Sequence, residues 1–174
     1  MSDKQNVHDL INEIIRVEGG YVDHPNDPGG ATKYGITEKV ARAAGYKGHM
    51  KDLPIELARS IYWDQYVVKS GFHFITPPDL LAEVVDTGVN MGPATAAKFL
   101  QRALNAVAGS GLVVDGQFGA RSRQALTEYL QSRKGADVIL TKAVNCLQGA
   151  RYIELVEANS KNRSFINGWI ANRT

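Results

Sequence analysis

Residues 16–37 read RVEGGYVDHPNDPGGATKYGIT, a helical pattern that runs into a loop rich in glycine and proline. Just upstream, Val7, Leu10, Ile11, Ile14 and Ile15 recur at spacings of three and four, the stripe of a half-buried helix. Position 18 continues that stripe, so Glu18 is expected on the apolar face, where a leucine would ordinarily stand. Burial disfavours an ionised carboxylate, and the negative end of the helix dipole at the Gly19-Gly20 stop acts in the same direction. A carboxyl held protonated near neutral pH is what a general acid needs to protonate a leaving glycosidic oxygen. The alternative for Glu18 is a boundary glutamate that reaches water.

Asp27 and Thr32 follow among Pro25, Pro28, Gly29, Gly30 and Gly35, a composition that favours turns or a short hairpin over helix. A solvated Asp27 would be ionised. An inverting glycosidase pairs one protonated acid with one carboxylate base about 6.5–9.5 Å away, leaving room for water, and Thr32 is placed to hold that water. The alternative for Asp27 is an Asx-turn residue ahead of Pro28.

The order Glu18, Asp27, Thr32 resembles the Glu–Asp–Thr triad of phage T4-type lysozymes, whose Asp-to-Thr gap is one residue longer. The string EGGYVDHPNDPGGATKYGIT is more similar to glycoside hydrolase family 108, N-acetylmuramidases found as phage endolysins and as secretion-associated wall hydrolases. IYWDQYV at 61–67, DTGVNMG at 86–92, LQRAL at 100–104, VDGQFGARSRQAL at 114–126 and FINGWIANR at 165–173 extend the resemblance over nearly the whole chain. It implies Glu18 as the catalytic acid and a lysozyme-like architecture with two lobes around a cleft. Asp27 and Thr32 take their roles from the more distant T4-type pattern.

Composition bounds the alternatives. A chain of 174 residues, 44% hydrophobic and 22% charged, is expected to be one globular domain and a monomer. No run of 18 apolar residues occurs, and Asp9, Asn12, Glu13 and Arg16 interrupt any signal-peptide core. The expectation is a chain made in the cytoplasm, without membrane insertion, that reaches the wall through a holin lesion or a secretion apparatus, as the resemblance implies. The single Cys146 excludes an internal disulfide, and its apolar neighbours suggest a packing residue. Residues 1–119 carry 11 Lys and Arg against 14 Asp and Glu, whereas residues 120–174 carry 9 against 4. A basic tail draws a protein toward an anionic envelope. Nucleic acid is disfavoured as a partner because the cations are scattered without basic runs or stacking aromatics. Scattered histidines at 8, 24, 49 and 73, with no HExxH or paired cysteines, give no metal site, and no phosphate loop or other cofactor motif is present.

The remaining pattern is all-α, with a minor hairpin near 21–37. Helices are expected over 38–44 (capped by Thr37), from Pro54, over 78–87 (capped by Thr76), and over 93–107, 120–133, 136–158 and 164–171. Residues 1–92 form the catalytic half and 93–174 a helical half. In the latter, VDGQFGARSRQAL resembles the signature of peptidoglycan-binding modules, with Ser122 where threonine is usual. Four further residues are candidates for gripping sugar. Tyr34, Trp63 and Tyr66 could stack on pyranose rings, and Asn90, one turn from Asp86, could bond an N-acetyl or hydroxyl group. Core packing is the alternative for the aromatics, and a helix-end amide for Asn90. Asp86 is expected to be a structural partner of an arginine or a backbone amide. Three functions stay open: a muramidase on glycan strands, a lytic transglycosylase on the same bond, and a non-catalytic wall-binding or secretion-accessory protein.

Overall fold

The periodicities settle into helices almost where they predict, in a computed structural model that describes residues 7–23 and 30–173. Helix α1 (Val7–Glu18) buries Val7, Leu10, Ile11 and Ile15. Strands β1 (Tyr21–Val22), β2 (Thr32–Lys33) and β3 (Ile36–Thr37) pair antiparallel in chain order, Tyr21 opposite Lys33 and Lys33 opposite Ile36. Tyr34 and Gly35 close the second hairpin at φ 54° and 72°, the left-handed pair that a type I′ turn requires. Helix α2 (Glu38–Ala43) starts at Thr37, whose Oγ1 accepts from the Val40 amide, the cap expected from sequence.

Helix α3 (Ile55–Trp63) follows Pro54, which stands at the N-cap. It runs on into a π-turn over Asp64–Val68, where the Lys69 amide reaches the Asp64 carbonyl at 2.9 Å. That extra residue per turn has no sequence signal and was not expected. Helix α4 (Pro78–Met91) is capped by Pro77 rather than Thr76 and is one turn longer than periodicity suggests. Gly88 does not stop it because the helix is packed there: a side chain at that position would rest against Phe72, Pro93 and Ala96, all at 3.8 Å. Helices α5 (Pro93–Ala108), α6 (Ala120–Ser132), α7 (Ala136–Ala158) and α8 (Arg163–Arg173) complete the chain.

Helix α4 is the axis of the molecule, packed against α1, α5 and α7. Leu80, Val84 and Val85 from α4, Leu100 and Leu104 from α5, and Leu140 and Val144 from α7 are fully buried around it. Burying each such side chain contributes about 1.5–3 kcal/mol, so this joint fixes where α1 and its last residue end up. Trp169 closes α8 onto α7 by stacking on the buried Tyr152 at 5.1 Å. Cys146 is a correction: it is exposed, because on α7 the buried line runs through Leu140, Val144 and Gln148 and leaves position 146 on the outer face.

Candidate active site

Glu18 is the last residue of α1, and it is exposed rather than buried. The apolar stripe ends at Ile15, since the core against α3 and α4 stops one turn short of the helix terminus; Val17 beside it is 69% exposed. The dry pocket expected around this carboxyl is therefore absent from the free protein. What surrounds it instead is a fixed scaffold. The Tyr34 amide donates to the Gly19 carbonyl at 3.0 Å, tying the β2–β3 turn to the end of α1. A Cβ on Gly35 would lie 3.2 Å from Glu18 Cγ and 2.6 Å from the Tyr62 hydroxyl oxygen, so only glycine lets the turn sit between them.

Tyr62, on α3, is buried and donates its hydroxyl to the Tyr34 carbonyl at 3.0 Å. Burial, then the Glu18 carboxylate, then Tyr66 push its phenol up to about 12, so it stays a neutral donor. Tyr34 is the one non-glycine residue with positive φ among the described residues, a conformation that costs about 1–2 kcal/mol. Its amide and carbonyl are both engaged, and these two bonds hold it there. Tyr66, one π-turn onward, stacks on Tyr62 with ring centroids 5.8 Å apart, and its phenol is raised by burial and by Glu18. Behind Gly35, a hollow of about 110 Å³ is lined by Thr37, Val40, Ile61, Tyr62, Gln65 and Tyr66.

The fold thus brings Glu18, Tyr34 and Tyr66 together, with Tyr62 and Gly35 as supports that sequence reasoning did not single out. A glycine directly after an aromatic in a YG turn was the available signal for Gly35. Thr32 lies two residues before Tyr34 on the same hairpin, half-buried and paired with Val22 and Thr37. Asp27 lies outside the described residues. Trp63 stands apart from the hollow: it stacks on His8 at 4.8 Å and lines a separate recess with Asn12, Glu56 and Arg59. One residue is about 100° of helix, enough to turn it to the α1 side while Tyr62 faces the turn. Asn90 is exposed and donates to the Asp86 backbone carbonyl at 2.8 Å and carboxylate at 3.2 Å. Asp86 is a structural partner as expected, its carboxylate accepting also from the Gln148 side-chain amide, Nε2 at 2.9 Å.

A second carboxyl, absent from the sequence reading, sits on the α4–α7 joint. Glu83 accepts from Asn145 Nδ2 at 3.4 Å, while its other oxygen is buried without a donor among the described residues. Burial outweighs the Asn145 bond, and with Asp86 nearby the carboxyl is pushed up to about 7. Asn145 and Gln148 on an otherwise apolar stretch of α7 were the signal that a polar group faces them.

In the carboxyl-terminal half, Gln101 is buried and organises the glycine-rich loop. Its Nε2 donates to Asp115 Oδ1 at 2.8 Å and to Ser122 Oγ at 3.2 Å, while its Oε1 accepts from the Gly116 amide at 3.0 Å. Ser122 thus anchors the loop through Gln101 and does not cap α6, whose N-cap is Gly119. Among the described residues, no cluster of three or more metal-ligating side chains occurs and no helix is long and apolar enough to cross a membrane.

A mainly α chain with a small sheet packed at the end of its first helix is a lysozyme-like fold, and an exposed glutamate closes that helix beside a tyrosine-supported hairpin. Residues 11–92 match the family of glycosyl hydrolase 108, and residues 95–174 match a family described as a predicted peptidoglycan domain. The two matches together support a peptidoglycan hydrolase whose amino-terminal half is similar to glycosyl hydrolase 108, the likeness that the EGGY…DPGGAT…YGIT string indicated. It is similar to the solved structure of Brucella abortus SagA, with 27% identity and a TM-score of 0.58 over 95% of this chain and 87% of that one. No curated protein matches it.

Proposed function

We propose that the chain is an N-acetylmuramidase that cleaves the β-1,4 bond from N-acetylmuramic acid to N-acetylglucosamine, with Glu18 as the acid that protonates the leaving oxygen. The observation that supports this most is the seating of Glu18, on a helix end tied to the hairpin by the Tyr34–Gly19 bond and flanked by the Tyr62–Tyr66 stack. A rigidly backed, solvent-facing carboxyl is open to a long polymer such as a glycan strand. Bound sugar then displaces water from it, supplying the desolvation that the free protein lacks. Tyr66 and the ring of Tyr34 offer flat faces to pyranose rings, and Asn90 an amide to a sugar substituent. Asp27, helped by Thr32, serves as the base that directs water to the opposite face of the anomeric carbon, so the product is inverted. Access to the wall is by a holin lesion or a dedicated secretion route.

Glu18→Gln keeps the shape of the side chain and removes its transferable proton. Turbidity clearing of purified sacculi by this variant should fall by about 10²–10⁴-fold. Undiminished clearing would refute the acid assignment. NMR of the first anomer released reports the stereochemistry, and a retained anomer would remove Asp27 from the base role.

A further inference from the structure

The hollow behind Gly35 is too small for a whole ligand and sized for a branch of one. Its volume is about 110 Å³. A cavity that takes a benzene ring needs about 150 Å³, and a complete small-molecule site roughly 300 Å³ or more. A sugar ring therefore stays outside, and only a substituent of a few heavy atoms enters. The hollow shares Gly35 with Glu18, whose Cγ lies 3.2 Å from where a Cβ on that glycine would stand. A substituent seated there belongs to a ring held beside the acid.

The lining states the chemistry of that substituent. Ile36 and Ile61 are buried and, with the methyls of Val40, make an apolar floor. Ile61 and Tyr62 belong to α3, and Gln65 and Tyr66 follow four residues later in the π-turn, a helix irregularity common at functional sites. Two of the polar groups are already engaged: Thr37 Oγ1 accepts from the Val40 amide, and the Tyr62 hydroxyl donates to the Tyr34 carbonyl. Gln65 accepts from Ser70 Oγ only through its backbone carbonyl. Neither its side-chain amide nor the Tyr66 hydroxyl makes a hydrogen bond among the described residues. No Lys, Arg, Asp or Glu lines the hollow, so a charged group would enter without a counter-ion, and a bare hydroxyl would leave the floor uncovered. A neutral group that joins a methyl to an amide meets both demands. Its methyl rests on the floor and its carbonyl oxygen accepts from Gln65 Nε2.

We propose that Gln65 is a specificity-determining residue, and that the hollow selects the 2-acetamido group of the sugar held beside Glu18. The proposal rests on the reading of Glu18 as the acid of a muramidase and names the group by which that site recognises its sugar. Removal of the acetyl leaves an ammonium where no anion lines the wall and a floor without its methyl. N-deacetylated glycan is therefore a poor ligand.

The test uses the whole chain carrying Glu18→Gln, so that the ligand stays intact. A 15N-labelled sample is titrated with a tetramer of N-acetylglucosamine, and separately with the same tetramer fully deacetylated. The acetylated oligomer should shift the amides of Val40, Gln65 and Tyr66, and the deacetylated one should bind about ten-fold more weakly or worse. Gln65→Leu, at an exposed position, should keep the helical circular dichroism and weaken the acetylated oligomer by about three- to ten-fold, the scale of one hydrogen bond. Gln65→Glu sets an anion on the wall and should strengthen the deacetylated oligomer by up to about five-fold, which a merely structural glutamine would not do. Equal binding of the two oligomers, amides that neither oligomer moves, or a preference unchanged in both Gln65 variants overturns the proposal. A wild-type chain that clears sacculi while its hollow treats both oligomers alike sinks this inference alone. One that selects the acetylated oligomer yet cleaves nothing sinks only the hydrolase.

Discussion

Glu83 makes the stability of this protein depend on pH in a way that one substitution should remove. Its carboxyl moves from an ordinary value of 4.5 in the unfolded chain to about 7 in the fold, chiefly through burial. Between those values the native state holds a proton that the unfolded chain has released, so stability falls as pH rises through the window. Below pH 4.5 and above pH 7 this group contributes no slope. Each pKa unit corresponds to about 1.4 kcal/mol, so the full drop is at most about 3 kcal/mol. The groups around it do not compensate: Asp86 adds negative charge from its own helix, and Asn145 and Gln148 from α7 are neutral. Glu83→Gln leaves an uncharged amide whose oxygen still accepts the Asn145 bond and which carries no proton to release in this range. Urea unfolding followed by tryptophan fluorescence at pH 5, 6, 7 and 8 should show wild-type stability declining and the variant's nearly flat over that range. Above pH 7 the variant should match or exceed wild type. Glu154→Gln, which breaks an exposed pair with Arg151 on the same α7, should leave the slope intact. Parallel profiles for wild type and Glu83→Gln would refute the reasoning.

Other perturbations probe the scaffold. Gly35→Ala puts a Cβ into the Tyr62 hydroxyl at positive φ; it should cost about 1–2 kcal/mol in urea unfolding and on the order of ten-fold or more in sacculus clearing. Tyr62→Phe removes the bond to the Tyr34 carbonyl, so thermal melting should fall by about 2–4 °C, with a loss of clearing rate larger than that stability change explains. Gln101→Leu strands the Gly116 amide and Asp115, and should destabilise the chain by about 3 kcal/mol by chemical denaturation while α-helical circular dichroism is retained.

The helices were legible because each carries an apolar stripe long enough to average out single exceptions. The stripe argument broke at Glu18, since periodicity says which face a residue shares and not whether a partner covers that face at the helix end. The same blindness hid Glu83. It sits beside Leu80 and Val84 in sequence, yet its burial comes from α7, some sixty positions away. Trp63 and Tyr66 read alike in the sequence as sugar-stacking candidates, but the π-turn and the 100° step divide this aromatic run. Tyr62 and Tyr66 go to the hairpin and Trp63 to α1. The loop motif at 114–126 was recognised by its glycines. Its organiser, Gln101, lies outside it, and a glutamine on the inward stripe of α5 was the only trace. Local pattern carried the elements, and long-range contact decided which polar groups matter.

The most direct test of the account is the identity of the chain ends that the protein makes. Purified sacculi digested by wild type, reduced with borohydride and resolved by mass spectrometry should yield reduced N-acetylmuramic acid termini, and Glu18→Gln should yield almost none. Termini of reduced N-acetylglucosamine, of anhydromuramic acid, or an undiminished yield from the variant would contradict a muramidase that works through Glu18.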